Sequence, residues 1–171
     1  MTQTMGVWAL GDELLRDAVL RTGEGGQNLE TGLADVVNPR YTDFNAEVRF
    51  ERCPGVGGLR AAIEESADAF AMSEWSPHVV VLGTSDDVLD LAGRDPNPRM
   101  AMESFDQELT EVVDRIKGVC EAHVLVANVS TYDPADLTSN FSDSQAETVS
   151  MRAHRVNLAL LHASHRLGFS V

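Results

Sequence analysis

Two pairs of adjacent carboxylates, Asp12-Glu13 and Asp86-Asp87, each follow shortly after a glycine that closes an apolar run. Adjacent acids can share a proton or, if brought together, hold a hard cation such as Mg²⁺ or Ca²⁺. Simpler readings stand beside these. An acid at position 13 favours the start of a helix, and Asp86 and Asp87 suit a solvated surface. Three hydroxyls, Ser85, Ser130 and Ser164, are candidate nucleophiles, but a serine needs a base and donors for the developing oxyanion. None of the three lies in a G-x-S-x-G elbow. Gly23 to Gly26 lacks the lysine of a phosphate-binding loop. His154, His162 and His165 fall near one helix face with no cysteine or acid at ligand spacing, so no metal site is expected.

These groups need a scaffold, and the hydrophobic pattern supplies one. Gly6 to Leu10, Val48 to Phe50, Val79 to Leu82 and Val124 to Ala127 read as strands, that at Val79 as buried on both faces. Cys53-Pro54-Gly55-Val56-Gly57-Gly58 reads as a loop, with a helix from Leu59 to Trp75. Phe105, Leu109, Val112, Val113, Ile116 and Cys120 share one helical face. A last helix carries Val149, Ala153, Val156, Leu160 and Leu167, and Gly168 ends it. Phe169-Ser170-Val171 reads as the start of a fifth strand. Strands alternating with helices predict a three-layer α/β/α sandwich with a mostly parallel five-stranded sheet, residues 1–171 forming one domain. The functional groups then belong beyond the carboxyl ends of the strands.

The order of these strand-end turns resembles that of the SGNH (GDSL-type) hydrolases. Gly11-Asp12-Glu13-Leu14 is similar to the family's Gly-Asp-Ser-Leu, Gly57 aligns with its glycine motif, and Gly83-Thr84-Ser85-Asp86 with its Gly-x-Asn-Asp. The helix around Asn157 resembles the one before the family's last strand. The resemblance implies an ester or acyl hydrolase site formed by Asp12, Glu13, Gly57, Ser85 and Asp86. It also implies departures. Glu13 stands where the family has its nucleophilic serine, and Ser85 where it has the oxyanion-binding asparagine. The family's Asp-x-x-His after the last strand is not reached by Val171, and His162-Ala163-Ser164-His165, at the right spacing, falls inside the preceding helix. The sequence therefore predicts an esterase-like protein that is catalytically impaired. Its alternative is a non-catalytic module binding a small molecule or a protein through the same cleft.

The net charge of −14 argues against nucleic acid and anionic membranes as partners. A phosphate-receiver arrangement would need a lysine on the fifth strand, and the single lysine, Lys117, falls in a helix. Two well-separated cysteines, no apolar run of membrane-spanning length and no basic, apolar leader predict a cytoplasmic chain. No cofactor is expected. A small ester or acyl molecule is the expected ligand.

Overall fold

In the computed structural model, residues 3–12, 15, 44–72, 75–85, 98–129 and 142–171 are described. Four strands, β1 (Gln3–Gly11), β2 (Phe44–Arg52), β3 (Val79–Leu82) and β4 (His123–Val126), form one sheet in the order β2-β1-β3-β4. Every pairing is parallel. The expected fifth strand is represented by one parallel bridge between Leu125 and Ser170. Ser170 donates to the Val124 carbonyl at 3.0 Å and accepts from the Val126 N–H at 2.8 Å. The chain has the α/β architecture that the alternating pattern predicts.

Three helices, α1 (Gly55–Met72), α2 (Pro98–Val119) and α3 (Asp143–Leu167), cover one face of the sheet. The sequence explains each stripe. In α2 the residues Phe105, Leu109, Val112, Val113 and Ile116 recur at helical spacing and are all buried. Each fully buried aliphatic side chain of this kind contributes roughly 2 kcal/mol before conformational entropy is counted. Val56, Leu59, Ala62 and Ile63 of α1 and Val149, Ala153, Val156 and Leu160 of α3 complete the layer against Trp8, Leu10, Val80, Leu82, Val124 and Val126. On the other face, the helical residue Leu15 packs with Val7, Ala9 and Val48.

Two local readings are corrected. Gly55 to Gly58 is the first turn of α1, not a loop. A helix start leaves its first N–H groups free of intrahelical partners, so Pro54 and the glycines cost little there. Gly55 has φ 66°, which only glycine adopts without strain. β3 is not uniformly buried: Val80 and Leu82 are sealed under the helices, while Val79 and Val81 are half-buried on the opposite face.

The last helix is fixed at both ends. The Ser142 N–H donates to Gln145 Oε1 at 3.0 Å. Gly168 closes the helix at φ 66°, and its N–H donates to the Ser164 carbonyl at 2.8 Å. Arg166 reaches both carboxylate oxygens of Asp106, at 2.7 and 2.8 Å, and Lys117 donates to the Leu167 carbonyl, tying α3 to α2.

Candidate functional site

The strand order reverses at β1, with β2 on one side and β3 and β4 on the other. Such a reversal opens a crevice beyond the carboxyl ends of the two strands that flank it, here β1 and β3. The register pairs Leu10 with Leu82, and the Gly83 N–H donates to the Leu10 carbonyl at 2.9 Å. Gly11 and Gly83 thus meet at the crevice floor. A Cβ on Gly11 would lie 2.9 Å from Gly83 Cα, so the two strand ends approach as closely as glycine permits. Leu15 packs on both glycines.

Asp12 follows directly. It is buried, and its Oδ1 accepts the Leu15 N–H at 2.9 Å, the geometry of a helix N-cap. One carboxylate oxygen is therefore engaged in holding the turn after β1. On the neighbouring strand, Thr84 is 1% exposed, and its Oγ1 has no hydrogen-bond partner among the described residues. Ser85, also buried, is the helical residue that follows. Asp12, Thr84 and Ser85 are thus brought to one pair of strand ends. Glu13 and Asp86 lie outside the described residues, as do Asp87 and Ser130.

The end of β2 joins this group through backbone. The Cys53 N–H donates to the Gly11 carbonyl at 2.8 Å, placing the start of α1 beside the end of β1. Gly57 is exposed in the first turn of α1, and a Cβ there would meet nothing within 4 Å. Cys53 is buried, and its thiol donates to the Glu51 carbonyl at 3.7 Å. Burial, reinforced by the Glu51 carboxylate, pushes this thiol up to about 12. It stays protonated at neutral pH and is a poor nucleophile.

At the end of β4, Asn157 of α3 does work that the sequence pattern did not reveal. Its Oδ1 accepts the Val129 N–H and its Nδ2 donates to the Val129 carbonyl, both at 2.8 Å. One side chain thus satisfies both backbone groups of a buried residue just beyond β4. The only signal was an asparagine among the apolar positions of α3. Thr84 was also missed as a residue in its own right, because it reads only as the variable position of Gly83-Thr84-Ser85-Asp86.

None of the five histidines is hydrogen-bonded to Asp12, Thr84 or Ser85 among the described contacts. His78 precedes β3, where its N–H donates to the Gly6 carbonyl and its Nδ1 accepts the Gly6 N–H. His123 opens β4, with Nε2 3.0 Å from Ser170 Oγ. Five residues of extended chain, about 16 Å, separate His78 from Gly83. His154, His162 and His165 are exposed on α3, whose buried side faces the sheet. The last two of these, with Ser164, stand near the end of α3 that leads into the bridge at Ser170, opposite the strand carboxyl ends. Ser164 Oγ donates to the Leu161 carbonyl at 2.7 Å. Among the described residues, no group of three or more His, Cys, Asp or Glu side chains is arranged to hold a metal ion. No described helix is long and apolar enough to cross a membrane.

No protein-family model and no curated protein sequence matches the chain. Solved structures do. A member of the lipolytic protein G-D-S-L family from Veillonella parvula superposes with a TM-score of 0.59 at 16% identity, over 98% of this chain and 76% of that one. An acetylxylan esterase from Geobacillus stearothermophilus gives a TM-score of 0.60 at 12% identity, over 98% and 75%. The fold is that of the SGNH (GDSL-type) hydrolases. Variants of the Geobacillus esterase described as catalytic mutants replace an aspartate, a serine or a histidine by alanine. In this chain Asp12, Thr84 and Ser85 lie at the carboxyl ends of β1 and β3, and His78 and His123 at the amino ends of β3 and β4.

Proposed function

We propose that this chain is an SGNH-type ester-hydrolase-like protein whose strand-end crevice receives a small ester or acyl ligand without turning it over by the serine mechanism. The observation that carries this reading is the position of the histidines: His78 and His123 stand at the amino ends of β3 and β4, and His154, His162 and His165 are exposed on α3, so none is seen beside Asp12, Thr84 or Ser85. A serine hydroxyl attacks only when a neighbouring base takes its proton. The sequence adds a second reason. Glu13 follows Asp12 at the position that the resemblance gives to the nucleophile, and a carboxylate is a weaker nucleophile toward esters than an activated alkoxide. Its negative charge also opposes the developing oxyanion. Loss of the nucleophile or the base each costs on the order of 10⁴ to 10⁶ in rate, and the losses are not additive. The reading calls for no cofactor, and the charge of −14 disfavours nucleic acid and anionic membrane as ligands.

The second reading is a module with no hydrolytic activity by any route, which binds a small molecule or a protein partner through the same crevice, and Thr84 favours a small molecule. The Thr84 hydroxyl is buried with no partner among the described residues, which is costly, and a ligand hydrogen bond would relieve that cost.

Hydrolysis of p-nitrophenyl acetate tests the proposal. Turnover at the level of a background protein is expected for residues 1–171 and for their Glu13→Ser variant, which adds a hydroxyl and no base. Turnover by residues 1–171 that Glu13→Gln abolishes would overturn the proposal and make Glu13 the catalytic residue.

A further inference from the structure

The outward face of α3 differs from the rest of the molecule in two ways. It is apolar: Met151 is 49% exposed, Leu158 56% and Leu161 52%, three of the four large hydrophobic side chains exposed among the described residues. A shallow groove of about 420 Å³ runs between Met151, His154 and Leu158. It is also nearly free of acids. The chain carries 27 aspartates and glutamates, yet none occurs from Thr148 to Val171. Over most of the surface of so acidic a molecule, two copies repel each other. This face is where they can approach without stacking carboxylates.

The ends of the face are complementary. Glu147 is exposed one turn before Met151, and His162 and His165 are exposed one turn and two turns beyond Leu158. We propose that two copies of this chain associate through α3, antiparallel about a twofold axis that passes between His154 and Leu158. An antiparallel pair sets Glu147 of one copy against the partner's His162 and His165, and it opposes the two helix dipoles. A parallel pair would set Glu147 against Glu147. A twofold contact uses the same patch on both copies and closes, so it makes a dimer and no fibre. The helix has 25 residues, a length of about 37 Å. One helical face of that length lies at the small end of specific interfaces, so a dimer that dissociates on dilution is expected.

Sedimentation equilibrium of the full chain from about 5 to 500 μM reads the association directly. A monomer–dimer equilibrium is expected, weakened at least tenfold by Leu158→Glu with an unchanged far-ultraviolet spectrum. Orientation is read by cross-linking. Chains carrying Glu147→Cys should form disulfides with chains carrying His165→Cys faster than either forms with its own kind. A chain monomeric throughout, a dimer indifferent to Leu158→Glu, or Glu147→Cys chains that pair preferentially with each other would overturn the proposal. Binding of the monomer to anionic vesicles in place of self-association would overturn it as well.

Discussion

Replacing Asn157 by alanine removes two hydrogen bonds at once and leaves both backbone groups of Val129 without a partner. Val129 is 2% exposed, so water reaches those groups only if the segment after β4 moves. An unsatisfied buried backbone group costs about 1–3 kcal/mol. Asn157 itself is only partly buried, which lets some water in. The combined loss is therefore about 2–4 kcal/mol, short of the full sum. For a chain of this length each kcal/mol lowers the melting temperature by about 2–4 °C, so a drop of about 5–15 °C is expected. Urea unfolding followed by circular dichroism should show a lower midpoint with an unchanged slope. Asn157→Asp keeps the acceptor for the Val129 N–H but turns an anion toward the Val129 carbonyl, and it should be no better than alanine. A loss below about 0.5 kcal/mol for Asn157→Ala would refute the claim that this side chain holds the chain beyond β4.

Two further changes probe the crevice. Asp12→Ala removes the cap on the Leu15 N–H and should cost about 1 kcal/mol, whereas Asp12→Asn, which keeps the acceptor, should cost less in the same denaturation assay. With its thiol pushed up to about 12, Cys53 should react with a thiol-specific disulfide reagent at pH 8 only after denaturation. The same shift sets a sign for stability. The folded chain keeps a proton that the unfolded thiol, at its ordinary value of 9.0, gives up. The contribution is complete below pH 9 and is lost as pH rises from there toward 12, which alkaline melting curves would register.

The sheet was legible because β-branched runs such as Val79 to Leu82 allow little else, and α2 because its apolar stripe recurs without interruption. Gly55 to Gly58 misled for a physical reason. Glycine and proline mark turns, but the first turn of a helix tolerates both, and the buried Val56 anchors it. The crevice was legible only in outline. Strand ends followed by Gly11-Asp12 and Gly83-Thr84-Ser85 signal a site in any parallel sheet. That Asp12 caps a helix, that the Thr84 hydroxyl is unsatisfied among the described residues, and that Asn157 grips Val129 all depend on pairings between distant segments, for which local pattern carries no signal. The histidine spacing of His162 and His165 matched an expected motif, but their place at the far end of α3 follows from the direction in which the chain turns into the bridge at Ser170.

The central claim is an esterase fold without an activated serine, and covalent labelling tests it most directly. The purified chain is incubated with an excess of a fluorophosphonate, which modifies only serines made nucleophilic by their surroundings, and is then weighed intact by mass spectrometry. The unmodified mass is expected, for residues 1–171 and for their Glu13→Ser variant alike. One phosphonate per chain, lost in Ser85→Ala, would contradict the claim and identify a working nucleophile in the crevice between β1 and β3.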